Sequence, residues 1–202
     1  MSSLEPPRAK PGSKRQRTRA ALVAAALEIV AEKGFAAASL DEIAARAGMT
    51  KGAVYSNFAS KAELLLAAMM ARGLTVETAP PPADATLADH VRAMAGGLAD
   101  TLRRAQGEQA LLAEFQVYAL NDSELRRGLA AVYSEAFTQT AAYLAEAAGD
   151  RATARRLAVA LQSIALGFVV QSLITPDEVT DEVIYETLEA LAIGVGGKAK
   201  LG

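Results

Sequence analysis

An all-α fold is what this sequence predicts, and three observations carry that prediction. Alanine is abundant and strand-forming runs are few in a chain that is 51% apolar. Apolar residues recur at intervals of three and four rather than two. Ser, Thr, Asn or Asp precedes most of these periodic stretches, several times with Glu three residues later, which is the signature of a helix start. At 202 residues the chain has room for one or two domains, each with a sizeable core.

Residues 1–13 include Pro6, Pro7, Pro11 and Gly12 with little apolar content and read as a disordered basic tail. The first helix is expected from about Gln16 to Lys33. Leu22, Ala25, Ala26, Ile29 and Val30 form its stripe, and Gly34 ends it before Phe35 turns back into the core. Ser39 then caps a short helix, with Glu42 completing a capping box and Leu40, Ile43, Ala44 and Ala47 on one face. Gly48 makes the turn. Thr50 caps a second short helix with Val54 and Phe58 inward and Lys51, Gly52, Tyr55, Ser56 and Asn57 outward. That outer face is small, polar and nearly uncharged. It is poor glue for a core and a plausible reader of a DNA groove, so the pair is a helix-turn-helix candidate.

Ser60 and Glu63 open the next helix, which carries Leu64, Leu65, Ala68 and Met69 to about Val76. Pro80-Pro81-Pro82 implies a stiff extended connection. Thr86 starts a helix with Leu87, Val91, Met94, Leu98 and Leu102 inward, where Gly96-Gly97 predicts a kink or a close helix contact. Gln106-Gly107 breaks it. A helix over 108–120 follows, and Asn121-Asp122-Ser123-Glu124 caps a longer one reaching Ala148. Gly149-Asp150 precedes a largely apolar helix over 152–174. The last helix begins either at Thr175-Pro176 or near Thr180, and Gly194, Gly196 and Gly197 fray its end. The count is nine helices, without strands or an internal repeat.

The chain has no cysteine, which removes disulfides and cysteine-zinc sites and fits a reducing cytoplasm. His90 is its one histidine. No cluster of His, Asp and Glu converges in the sequence, so no catalytic residue, metal or cofactor is assigned and an enzyme is not expected. The net charge of −2 conceals a division. Residues 1–72 hold eleven lysines and arginines against six acids, which leaves −7 for the remainder. A basic end on an acidic body implies a polyanion partner for the first part only, with Arg15 and Arg17 placed to follow phosphates. Two stretches imitate export or membrane signals. Ala20 to Leu27 follows a basic run but is interrupted by Glu28, Glu32 and Lys33. Leu157 to Ile174 is uncharged but contains Gln162, Ser163, Gln171 and Ser172, and burial inside a helical assembly explains it better than a membrane.

Residues 17–65 resemble the DNA-binding domain of the tetracycline-repressor (TetR) family of bacterial transcriptional regulators. The matching residues are Arg19, Ala25-Ala26, Gly34-Phe35, Ser39 to Ala44, Ala47 to Gly52, Val54-Tyr55, Asn57-Phe58, Ser60-Lys61 and Leu64-Leu65. The histidine frequent in the family before the Phe58 position is Asn57 here, which does not titrate near neutral pH. The resemblance implies an N-terminal three-helix DNA-binding domain over 14–60 and a six-helix effector-binding and dimerisation domain over 61–202. It implies DNA contacts from Arg17, Thr18, Ser39, Thr50, Lys51, Gly52, Ala53, Tyr55, Ser56, Asn57 and Lys61. Gly52 and Ala53 permit close approach, and Lys51, Tyr55 and Lys61 hold phosphates or a base edge.

The acidic body resembles the family only in layout. Met69, Met94, Leu98, Phe115, Tyr118, Tyr133, Phe137 and Phe168 are candidates to line an apolar effector pocket, with His90, Arg104, Glu114, Gln116 or Gln162 supplying polarity. The last two helices carry more apolar surface than one chain buries. Leu157, Leu161, Ile164, Phe168, Ile184, Leu188 and Leu191 are therefore expected at a homodimer interface. The expected function is a cytoplasmic, ligand-responsive regulator, most simply a repressor, whose homodimer binds a palindromic double-stranded operator and is released by a small-molecule effector. An activator of the same fold is the alternative, and a helical enzyme or ligand carrier the remote one.

Overall fold

The computed structural model describes residues 13–72, 84–104 and 108–199. The basic tail before Ser13, Leu74 (a further apolar candidate for the effector pocket), the triple proline and the Gln106-Gly107 break lie outside them. Nine helices and no strands are found among the described residues. They fall into two compact units, 1–72 and 73–202.

The first unit contains α1 (Lys14–Ala37), α2 (Leu40–Arg46), α3 (Lys51–Tyr55) and α4 (Lys61–Arg72). The first helix starts earlier than its apolar stripe because Ser13 builds a capping box. Its hydroxyl accepts from the Gln16 amide at 3.3 Å, and the Gln16 side chain accepts from the Ser13 amide at 2.6 Å. Regular helix stops at Gly34, whose φ of 77° and ψ of 169° suit glycine alone. The reversal sends Phe35 inward to join Leu22, Ala26, Ile29 and Val30. Leu64, Leu65 and Ala68 of α4 close this core, since α4 packs along α1. The helix opened by Ser60 thus lies with α1 to α3, in the compact unit that ends at residue 72.

Charge pairs brace the back of this unit. Arg46 of α2 spans Glu28 and Glu32 of α1 at 3.1 and 2.8 Å, and Lys33 meets Glu42. Hydrogen bonding from Arg46 holds the Glu32 carboxyl below its ordinary 4.5. Lys33, with Ser39 behind it, does the same for Glu42.

The second unit contains α5 (Leu87–Arg104), α6 (Glu108–Asn121), α7 (Ser123–Leu144), α8 (Arg151–Ile174) and α9 (Asp181–Ala199). Thr86 and Asp89 cap α5 reciprocally, and Asp122 and Asp150 accept the first free amides of α7 and α8. The seventh helix gives way to turns at Ala145 rather than reaching Ala148. Thr180 caps the last helix, so Pro176 lies in a preceding turn. Gly194 continues within α9. Gly96 and Gly97 do not break α5; they permit a close contact instead. A Cβ on Gly96 would stand 2.8 Å from the Tyr185 hydroxyl of α9.

Helix α8 is long and apolar enough to cross a membrane by length and composition. Here Leu157, Leu161 and Val169 on one of its faces centre the unit's core, with Val91, Leu98 and Leu102 of α5, Leu144 of α7, and Ile184 and Leu188 of α9. Four of the residues expected at a dimer interface belong to the chain's own core. Leu157, Leu161, Ile184 and Leu188 are buried within the chain, and Ile164, Phe168 and Leu191 pack against the same core. Helices α5 and α7 cover the surface that the sequence left without a partner.

Two outcomes follow from this packing. Leu161→Ala should lower stability by about 2–5 kcal/mol, as cavities in helical cores do. Val117→Ala, on an exposed position of α6, should stay within about 0.5 kcal/mol in the same urea titration. The depressed carboxyls set an acid limit. A carboxylate whose folded pKa is lowered stabilises the fold above its unfolded value and stops doing so as pH falls through the folded one. The unfolding midpoint should therefore hold from about pH 7 to 5 and drop below about pH 4. The Glu32→Gln, Glu42→Gln double variant should drop less steeply by circular dichroism; an unchanged slope would assign the acid limit to other groups.

Candidate nucleic-acid interface

Helix α2 begins at Ser39, whose hydroxyl accepts from the Glu42 amide at 3.2 Å and donates to the Glu42 carboxylate at 3.0 Å. It ends at Gly48, where φ is 66°, and the Met49 amide folds back on the Ala44 carbonyl at 2.8 Å. Thr50 then caps α3 by accepting from the Ala53 amide at 3.3 Å. Val54 and Phe58 are fully buried. Their burial fixes which side of α3 looks out.

That outer side carries Thr50, Lys51, Gly52, Tyr55 and Ser56, all exposed, with Ala53 half-buried between them. Tyr55 is 54% exposed. Gly52 has no packing reason to lack a side chain, because the nearest atom to a built Cβ is the Thr50 hydroxyl at 3.7 Å. Its smallness serves the surface rather than the fold. Arg17 is exposed in the second turn of α1, Thr18 is half-buried beside it, and Ser39 is half-buried at its cap. Lys61 starts α4 and donates to the Ala36 carbonyl at 3.3 Å.

Asn57 departs from expectation. It is 9% exposed, and its amide donates back to the Ala53 carbonyl at 2.8 Å and to Ser56 at 3.2 Å. Its side-chain oxygen is buried without a partner. Asn57 stands three residues after Val54, the spacing that returns to the same side of a helical turn, so it turns inward beside Val54 and Phe58. Its side-chain bonds lock the end of α3.

Two partners of this surface are not visible in the sequence. Asp41 of α2 holds the Lys51 ammonium with both carboxylate oxygens, at 2.9 and 3.0 Å, and raises its pKa by that hydrogen bond. Arg19 of α1 donates to the Asn57 carbonyl and lies with its guanidinium carbon 4.0 Å from the centre of the Phe58 ring. No spacing rule links residues ten or forty apart on separate helices; only the fold brings them together.

The candidate effector residues fall in both units. Met69 lies buried in the first unit, on α4. Leu98 belongs to the core of the second unit, and Met94 and Phe168 pack against that core. Phe115 is buried on α6, and Tyr118 is half-buried there. Tyr133 and Phe137 of α7 stack with centroids 6.1 Å apart, and the Gln116 amide donates to the Tyr133 hydroxyl. Burial raises the Tyr133 pKa despite that bond. Gln162 donates to Thr140 at 2.9 Å, while Glu114 and Arg104 are exposed. The His90 ring meets Tyr143 edge-on at 4.8 Å with its Nδ1 buried and unpartnered.

Comparison with known proteins agrees with this division. Residues 22–68 match the family described as bacterial regulatory proteins, tetR family. Residues 87–193 match the C-terminal part of BetI-type transcriptional repressors. SrpR, an HTH-type transcriptional regulator of Pseudomonas putida, is 41% identical over 63 residues, which is 31% of this chain. That match spans only 30% of SrpR's own length. GusR of Salmonella enterica shares the fold, with a TM-score of 0.68 at 22% identity over 91% of this chain and 97% of GusR. The multidrug binding protein EbrR, complexed with imidazole, gives a TM-score of 0.63 at 26% identity over 93% and 97%. With both units matched in order and in register, the chain belongs to the tetR family of bacterial regulatory proteins and is an all-helical transcriptional regulator.

Proposed function

We propose that the protein is a ligand-responsive repressor of the bacterial cytoplasm that binds a palindromic operator as a homodimer. The observation carrying this is the outer face of α3, where Gly52 and Ala53 leave the backbone approachable between Lys51 and Tyr55. A short helix with this face fits the major groove, with Lys51 and Tyr55 on phosphates or base edges and Arg17 and Lys61 on the flanking backbone. Thr50, Ser56 and Thr18 border that contact, and Ser39 joins it when a phosphate replaces the Glu42 carboxylate as acceptor of its hydroxyl. The match of residues 87–193 to BetI-type repressors supports repression rather than activation.

Dimerisation is assigned to the faces of α8 and α9 turned away from the core. Val159, Val170 and Leu173 of α8 and Val183 and Ile193 of α9 are exposed apolar residues on those faces. Two copies joined there make a four-helix bundle, and two-fold symmetry sets two recognition helices about one turn of DNA apart. EbrR's binding of a small molecule supports an effector site in the second unit. Among the candidates, Tyr133, Phe137 and Gln116 combine apolar faces with hydrogen-bonding groups. An effector releases DNA by preferring the state whose recognition helices mismatch the operator, with a coupling of about 1–3 kcal/mol typical of such systems.

Selection of binding sites from a random duplex pool should yield a palindrome, and a pool that stays unenriched would count against the reading. Lys51→Ala should weaken binding and reduce the salt slope by about 1. Asp41→Asn releases Lys51 from an exposed ion pair, so affinity for unrelated duplex should rise up to about fivefold, the range of such pairs. A fall in affinity would instead make Asp41 a support for DNA contact. Ile193→Glu should yield a folded monomer by sedimentation; a dimer that survives places the interface elsewhere.

A further inference from the structure

Arg19 makes three contacts at once, each to a different part of the first unit. It donates to the main-chain carbonyl of Asn57, just past the end of α3. It lies over the Phe58 ring at 4.0 Å, and it pairs with Glu63 of α4 at 3.4 Å. Glu63 is itself bound at both ends of its short reach. Its amide donates to the Ser60 hydroxyl at 3.1 Å, and its other carboxylate oxygen accepts from the Ala59 amide at 2.7 Å. One guanidinium on α1 therefore holds the exit of α3 and the entrance of α4 together. A planar fork suits that task, since its donors diverge at fixed angles toward two acceptors while its face covers a ring.

The opposite end of α3 is held differently. Thr50 caps it locally, and Lys51 is drawn toward Asp41 by an exposed pair that DNA phosphates can displace. Asn57 contributes a bond back to Ala53 within the same turn, which does not tie α3 to another helix. Beyond the packing of Val54 and Phe58, the polar anchor of the C-terminal end is Arg19.

We propose that Arg19 is a positioning residue for sequence reading: it fixes the angle at which α3 leaves the core, and so governs discrimination between DNA sequences rather than grip on the phosphate backbone. The inference rests on the DNA-reading function proposed above. Base-edge contacts depend on placement to a fraction of an ångström, whereas a long cation reaches a phosphate from many angles.

The test uses the full-length protein, the duplex that wild type enriches from a random pool, and a scrambled duplex of equal length. Fluorescence anisotropy across salt gives affinity and salt slope for each. Arg19→Gln should lose about tenfold or more on the enriched duplex, the scale of one mismatched base contact, with less than about twofold change on the scrambled one. Its salt slope on the scrambled duplex should match wild type. Arg19→Lys keeps the charge beside Glu63 and over Phe58 but not the fork, and should fall between. Equal losses on both duplexes with a reduced salt slope would make Arg19 a phosphate contact and overturn the proposal, as would unchanged discrimination. Should Arg19→Gln lose its helical circular dichroism, Glu63→Gln decides. That replacement retains an acceptor for the Ala59 amide but not the ion pair, and the proposal requires the same selective loss of about threefold or more, the upper range of a partly exposed pair. Failure of wild type to enrich any sequence sinks the DNA-reading function itself, an outcome separate from intact discrimination in the variants.

Discussion

Helix α3 has five residues, and a helix of that length does not persist in water on its own strength. It exists because Val54 and Phe58 are buried, with α3 packed on α2 and Arg19 of α1 over the Phe58 ring, and because Gly48 and Thr50 turn the chain into it. The rest of the first unit can be understood as what this requires. The first helix supplies Leu22, Ala26, Ile29 and Val30 as a floor, Gly34 turns Phe35 beneath them, and α4 closes the remaining side with Leu64 and Leu65. A reading helix has to keep one whole side free, so its own core contribution is Val54 alone, with Phe58 just beyond its end. The surrounding helices must provide everything else.

Charge is organised around the same requirement. Several basic residues of the first unit are matched by acids: Arg19 to Glu63, Lys33 to Glu42, Arg46 to Glu28 and Glu32, and Lys51 to Asp41. These pairs lie between helices and fix their spacing, so they add little to an external field. Lys14 and Arg15, exposed at the start of α1, make no ion pair among the described residues. Their charge is left to act on the surroundings, where it attracts a polyanion.

Much of this was legible in the residues. The capping signals at Ser39, Thr50 and Asp122 are helix starts, and of the two read for the last helix Thr180 caps it while Thr175 does not, because capping is a local hydrogen bond between groups two or three residues apart. The glycine turns at Gly34 and Gly48 were legible for the same reason. Faces far from a cap were less so. The apolar excess of α8 and α9 was evident, but periodicity does not say which neighbour takes which side. Leu157, Leu161, Ile184 and Leu188 proved to be filled by α5 and α7. Asn57 was read as outward although its spacing from Val54 puts it on the inward side of the turn, and Arg19 and Asp41 act through partners that sequence distance hides.

The bareness of Gly52 has a consequence for how such a protein changes over time. No atom outside its own turn comes closer than 3.7 Å to where its side chain would begin, and Lys51, Tyr55 and Ser56 also project into solvent. Substitutions on this face leave the packing of Val54 and Phe58 untouched. The identity of the bases recognised and the integrity of the scaffold are therefore separately adjustable. A duplicated gene can acquire a new set of targets through a few surface replacements, without passing through an unstable intermediate.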